Sequence, residues 1–137
     1  MNTLTRTLSR TLARPLAAGA VALAVAVPTV ALVAAPAHAD AEKHVACAGG
    51  HLELSVDNEA GGWEVDAQVD NVAANQKWRI VLKHDGDRYF KGVRTTDYEG
   101  DVDVERFRSD SSGSDTFSMK AVRLSDGTTC SGSVTVG

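Results

Sequence analysis

Residues 63–70 read WEVDAQVD, and their pattern decides the fold. Trp63, Val65, Ala67 and Val69 alternate with Glu64, Asp66, Gln68 and Asp70. A period of two with one apolar face predicts a β-strand with one side buried and one side wet. The same pattern recurs on both sides. Upstream, Leu52, Leu54 and Val56 alternate with Glu53 and Ser55. Downstream, Trp78, Ile80 and Leu82 alternate with Arg79 and Val81, then Val102 and Val104 with acids, then Phe117, Met119 and Ala121 with Ser118 and Lys120. Cys130, Val134 and Val136 share a parity near the end.

Turn chemistry separates these runs. DNEAGG (57–62) and NVAAN (71–75) read as loops, and SDSSGS (109–114) as a polar corner. His84-Asp85-Gly86-Asp87 reads as a tight turn, and the Asp-Gly of Ser125–Thr128 favours a two-residue hairpin. Strands are predicted at 43–48, 51–58, 63–70, 76–84, 88–95, 101–108, 115–124 and 127–136. Seven or eight short antiparallel strands with almost no helix signal predict an all-β sandwich over residues 40–137.

Residues 1–39 read differently. Arg6, Arg10 and Arg14 precede an uncharged apolar run, Leu16 to Ala35, broken by Pro28. Ala37 and Ala39 then occupy the small-residue positions of an A-x-A cleavage site. These are the three parts of a cleavable secretory signal. The run could span a bilayer as an anchor, but its Ala/Val composition, Pro28 and the cleavage site favour removal. Cys47 lies too far behind the run for a lipoprotein signal, and there is no twin arginine. The expected product is secreted, free of the membrane and extracellular.

The signal takes three arginines and no acid with it. The remaining domain carries 11 basic and 18 acidic side chains, a net charge of −7. Such a balance disfavours nucleic acid and anionic lipid as partners. The two cysteines, Cys47 and Cys130, share parity with Val45 and Val134 and are expected to pair in an oxidising compartment. The bridge would close a loop of 84 residues, both ends counted. A zinc site using His44 and His51, three before and four after Cys47, has a possible spacing but ranks far below the disulfide.

Three segments resemble immunoglobulin-like or fibronectin-III-like domains: Trp78 in WRIVLKHDG, the acidic strand GDVDV, and DTFSMKAVRLSDGTTCSGSVTV as a closing pair of strands. The resemblance implies an Ig-like antiparallel β-sandwich and no particular ligand. Two features depart from it. The cysteines sit on the terminal strands, and Phe117 stands where a corner tyrosine is common.

Chemistry is sparse. There is no G-x-S-x-G or Ser-x-x-Lys pattern. His44, His51 and His84 are scattered near strand ends and read as solvated surface residues; His38 leaves with the signal. Asp97, Glu99, Asp101, Asp103 and Glu105 alternate, which suits either a wet strand balanced by Arg79, Lys83, Arg106 and Arg108 or a calcium site. No cofactor or metal is assigned. The expectation is a non-enzymatic module binding an extracellular protein or glycan through loops 84–89 and 95–101, with Asp85, Asp87, Tyr89, Tyr98 and Glu99 as the binding surface. For the adjacent pair Tyr89 and Phe90 themselves, a bulge returning them to the core is the favoured reading over an exposed contact. A secreted inhibitor of an extracellular hydrolase, or a structural or calcium-stabilised envelope protein, are the alternatives.

Overall fold

The computed structural model describes residues 40–137; the expected signal, residues 1–39, lies outside the described residues. Eight strands follow one another: β1 (Ala41–Cys47), β2 (Gly50–Glu59), β3 (Gly62–Asp70), β4 (Lys77–His84), β5 (Asp87–Thr95), β6 (Val102–Ser109), β7 (Asp115–Arg123) and β8 (Thr129–Val136). They form two antiparallel four-stranded sheets, ordered β1-β2-β3-β6 and β5-β4-β7-β8. Each strand begins and ends within two residues of the range its alternation predicts.

The alternating apolar residues fill the space between the sheets. Trp63, Trp78, Phe117, Leu52, Leu54, Ile80 and Leu82 are fully buried. Each large side chain so placed contributes about 1.5–3 kcal/mol relative to exposure. In the immunoglobulin arrangement the second and third strands lie in opposite sheets. Here β2 and β3 are hairpin partners, with Val56 opposite Val65.

Three turns differ from their sequence reading. The β2–β3 loop narrows to Ala60-Gly61, because Glu59 pairs with Gly62. The β7–β8 connection is five residues, 124–128, rather than two: Arg123 N donates to Thr128 O at 2.8 Å and Gly127 N to Arg123 O at 2.9 Å. The β1–β2 turn is Ala48-Gly49, with both residues at positive φ. At β4–β5 the expected tight turn forms, Asp85 at φ 50° and Gly86 at φ 87°. That is the twist a two-residue hairpin requires.

The two long sides of the sandwich are closed by different chemistry. On one side, edge strands β1 and β8 are joined by the Cys47–Cys130 disulfide, with Cα atoms 5.8 Å apart. On the other, edge strands β5 and β6 are bridged by arginines over aromatic rings. Arg108 lies 4.7 Å from the Tyr89 ring centroid and Arg106 4.8 Å from that of Phe90. Arg94 adds a third contact on Phe90, at 5.2 Å. Arg106 and Arg108 pair with Val65 and Trp63, so they share the inward parity of β6. They therefore cap the interior and do not neutralise the outward acids, as the sequence suggested.

Candidate functional site: two oppositely charged sheet faces

The expected loop surface is not one surface. Asp85 and Asp87 flank the β4–β5 turn, whereas Tyr98 and Glu99 lie beyond the far end of β5. Eight extended residues of β5, 88–95, lie between the two groups, about 26 Å at 3.3 Å per residue. Tyr89 is also withdrawn from solvent. Leu82 pairs with Phe90 and Lys83 with Arg88, which leaves Tyr89 as the extra residue of a bulge. The bulge turns both rings toward the core, where they are half-buried. Burial pushes the Tyr89 hydroxyl up to about 12, against the lowering effect of Arg108 and Arg106. Tyr98 does project, 84% exposed, beside Glu99. Asp87 is exposed, while the Asp85 carboxylate accepts from Thr116 N at 2.8 Å.

The acids after β5 do not form one strand face. Asp97, Glu99 and Asp101 belong to the loop before β6; only Asp103 and Glu105 lie on the strand. Asp97 Oδ1 accepts from the backbone N–H of Glu99 (2.9 Å) and Asp101 (3.0 Å). Those donors, Asp101 foremost, hold its carboxyl below the usual range. Asp101 Oδ1 in turn accepts from Asn71 N at 2.7 Å. These oxygens hold the loop together.

His84 is buried, not solvated. Its ring stacks on Phe117 at 4.3 Å, and Nε2 contacts Asp115 Oδ1. Asp115 is fully buried and also accepts from Trp63 Nε1 (3.0 Å) and Ser111 Oγ (2.7 Å). Burial pushes this carboxyl up, but the hydrogen bonds from Ser111, His84 and Trp63 outweigh it and hold it at about 2. Serine, histidine and aspartate thus meet, in an order that does not activate the serine. The carboxylate stands between hydroxyl and imidazole, and both engage it. A nucleophile needs the base itself on its hydroxyl. This cluster plugs one end of the sandwich.

The sheets' outer faces carry the contrast that the sequence concealed. On β4, Lys77, Arg79 and Lys83 point outward, because Trp78, Ile80 and Leu82 point in. Across the register, Arg88 and Lys91 of β5 pair with Lys83 and Val81, and Lys120 of β7 pairs with Val81. The remaining outward positions are mostly Ser and Thr: Ser118 of β7, and Thr129, Ser131, Ser133 and Thr135 of β8. No Asp or Glu occupies an outward position of these four strands. A shallow concavity of about 540 Å³ lies here, lined by Lys83, Lys120, Ser118, Ser131 and Ser133, with Lys43 reaching it from β1.

The opposite face has the opposite sign. Asp57, Glu53 and Glu59 of β2, Glu64, Asp66 and Asp70 of β3, Asp103 and Glu105 of β6 and Glu42 of β1 share outward parity, without one Lys or Arg among them. Asp66 stands directly opposite Glu105. The Glu64 carboxyl is pushed above its ordinary value, by the Glu105 charge first. Asp70 is raised by burial and then by Asp101, against the pull of His51. The net −7 is therefore a difference between a basic face and a strongly acidic one. The overall negative charge thus hides one sheet face whose outward charges are all basic.

No family model matches the chain. Neither curated proteins nor solved structures yield a match to it.

Proposed function

We propose that the protein is an exported, non-enzymatic binding module that takes an anionic glycan on the outer face of β5-β4-β7-β8. One observation carries the reading: six outward cations, Lys77, Arg79, Lys83, Arg88, Lys91 and Lys120, share a face that holds no carboxylate. Such a face focuses a positive field, and the acidic face behind it orients the domain toward a negative polymer. The rows of Ser and Thr beside the lysines supply donors and acceptors suited to a hydroxyl-rich chain. Protein-binding hot spots are enriched in large aromatic anchors seated in pockets, and this face presents no outward aromatic. The apolar outward residues here are only Val81, Val93 and Val122. The secretory pattern of residues 1–39 and the Cys47–Cys130 bridge support an oxidising, extracytoplasmic setting.

The test is retention on immobilised heparin, with neutral dextran and a single-stranded oligonucleotide as comparison arms. Retention at low salt is expected, with elution as the ionic strength shortens the screening length below about 5 Å. The variant K83E/K120E should bind at least ten-fold more weakly. Equal binding to dextran, unchanged binding by the variant, or stronger binding to the oligonucleotide would each overturn the glycan reading.

A further inference from the structure

We propose that His44, His51 and Glu53, on the acidic outer face, form a binding site for a zinc-class divalent ion. The three residues come from two neighbouring strands. His44 of β1 pairs directly with Glu53 of β2, and His51 lies two residues before Glu53, so all three side chains emerge on one side. One ligand atom from each lies within 4.8 Å of the others. His44 Nδ1 is 3.3 Å from Glu53 Oε2, and His51 Nε2 is 4.0 Å from the same oxygen. A tetrahedral zinc with bonds near 2.0–2.1 Å separates its donors by about 3.3–3.4 Å. The first pair already meets that spacing. The second needs less than 1 Å of side-chain movement, on residues that are partly exposed.

Three further observations point to a cation. His44 Nε2 contacts the Glu42 carboxylate. A ring whose Nε2–H donates to Glu42 presents a Nδ1 lone pair to Glu53, so two acceptors face each other unless a proton or a metal lies between them. The carboxylate on the far nitrogen is also the partner that orients metal-bound histidines in known sites. Asp70 Oδ2, 3.5 Å from His51 Nε2, places a second carboxylate beside that donor. Finally, the whole face carries carboxylates and no Lys or Arg, a field that concentrates dications. Imidazole with carboxylate suits zinc, whereas calcium and magnesium take oxygen ligands alone.

This site lies on the sheet opposite the proposed glycan face, so the two readings stand or fall separately. The experiment is calorimetric titration of chelator-stripped protein with zinc chloride, with the histidine ring resonances followed by NMR. One saturable zinc per chain is expected, with the His44 and His51 rings shifting and the buried His84 ring unmoved. Excess magnesium should not compete. H44A, at an exposed position, and H51A, at a half-buried one, should each weaken binding at least ten-fold, and E53Q should weaken it with the strand pairing intact by circular dichroism. Absence of saturable binding would overturn the site. Binding retained in the H44A/H51A double variant, or shifts at His84 instead, would overturn it equally.

Discussion

Replacing Asp115 with Asn isolates one buried charge and its effect on acid stability. The side chain keeps its shape. It loses the negative charge that Ser111, His84 and Trp63 hold at 2.7–3.0 Å or closer. The native carboxyl titrates at about 2, against an ordinary 3.8. Each unit is worth about 1.4 kcal/mol, so the depression corresponds to about 2 kcal/mol of folding stability. The sign follows from proton binding. Below pH 3.8 the unfolded chain takes up a proton that the folded chain refuses until about pH 2. The stabilisation is therefore complete above about pH 5 and drains away as pH falls from about 5 to 2. Urea unfolding of the wild type and of D115N, at pH 7 and at pH 2.5, measures it. At pH 7 the variant should be less stable by about 2–3 kcal/mol, the cost of weakening charge-assisted bonds to a buried hub. At pH 2.5 most of that gap should close. An equal gap at both pH values would refute the assignment of the charge to Asp115 in the folded state.

Two further tests address the frame. Reducing Cys47–Cys130, whose residues are 83 apart in sequence, should lower stability by about 4–5 kcal/mol through the freed loop entropy. Urea midpoints with and without dithiothreitol would show it, and an unchanged midpoint would mean that the bridge adds nothing to the packed sheets. Ala48 holds φ 52° in the β1–β2 turn, a conformation that costs an L-residue about 1–2 kcal/mol. Ala48→Gly should raise the thermal midpoint by relieving that strain, and a lower midpoint in calorimetry would contradict it.

Much of the frame could be read along the chain. Alternation is local: Trp63, Val65 and Val69 sit on one side of β3 whatever the strand pairs with, so strands and core follow from neighbours two apart. The Asp85-Gly86 turn is likewise local, since its two residues must supply positive φ. The Cys47–Cys130 pairing followed from compartment and parity. His84 was misread because its surroundings come from elsewhere: Asp115 and Phe117 are more than 30 residues away in sequence and reach it through the β4–β7 pairing. Tyr89 reads two ways along the chain, as a binding-surface residue and as a ring returned to the core by a bulge; the β4–β5 register carries the bulge, and no residue type announces where that slip falls.

The period-two pattern separates inward from outward residues, and that much belonged to the amino-acid order alone. It cannot tell one outside from the other. Glu64, Arg79, Lys91 and Asp103 read alike as wet positions. Only the assignment of β3 and β6 to one sheet, and of β4 and β5 to the other, sends the acids to one face and the bases to its opposite. Charge is a sum over space, and distant strands enter that sum only after they have folded side by side.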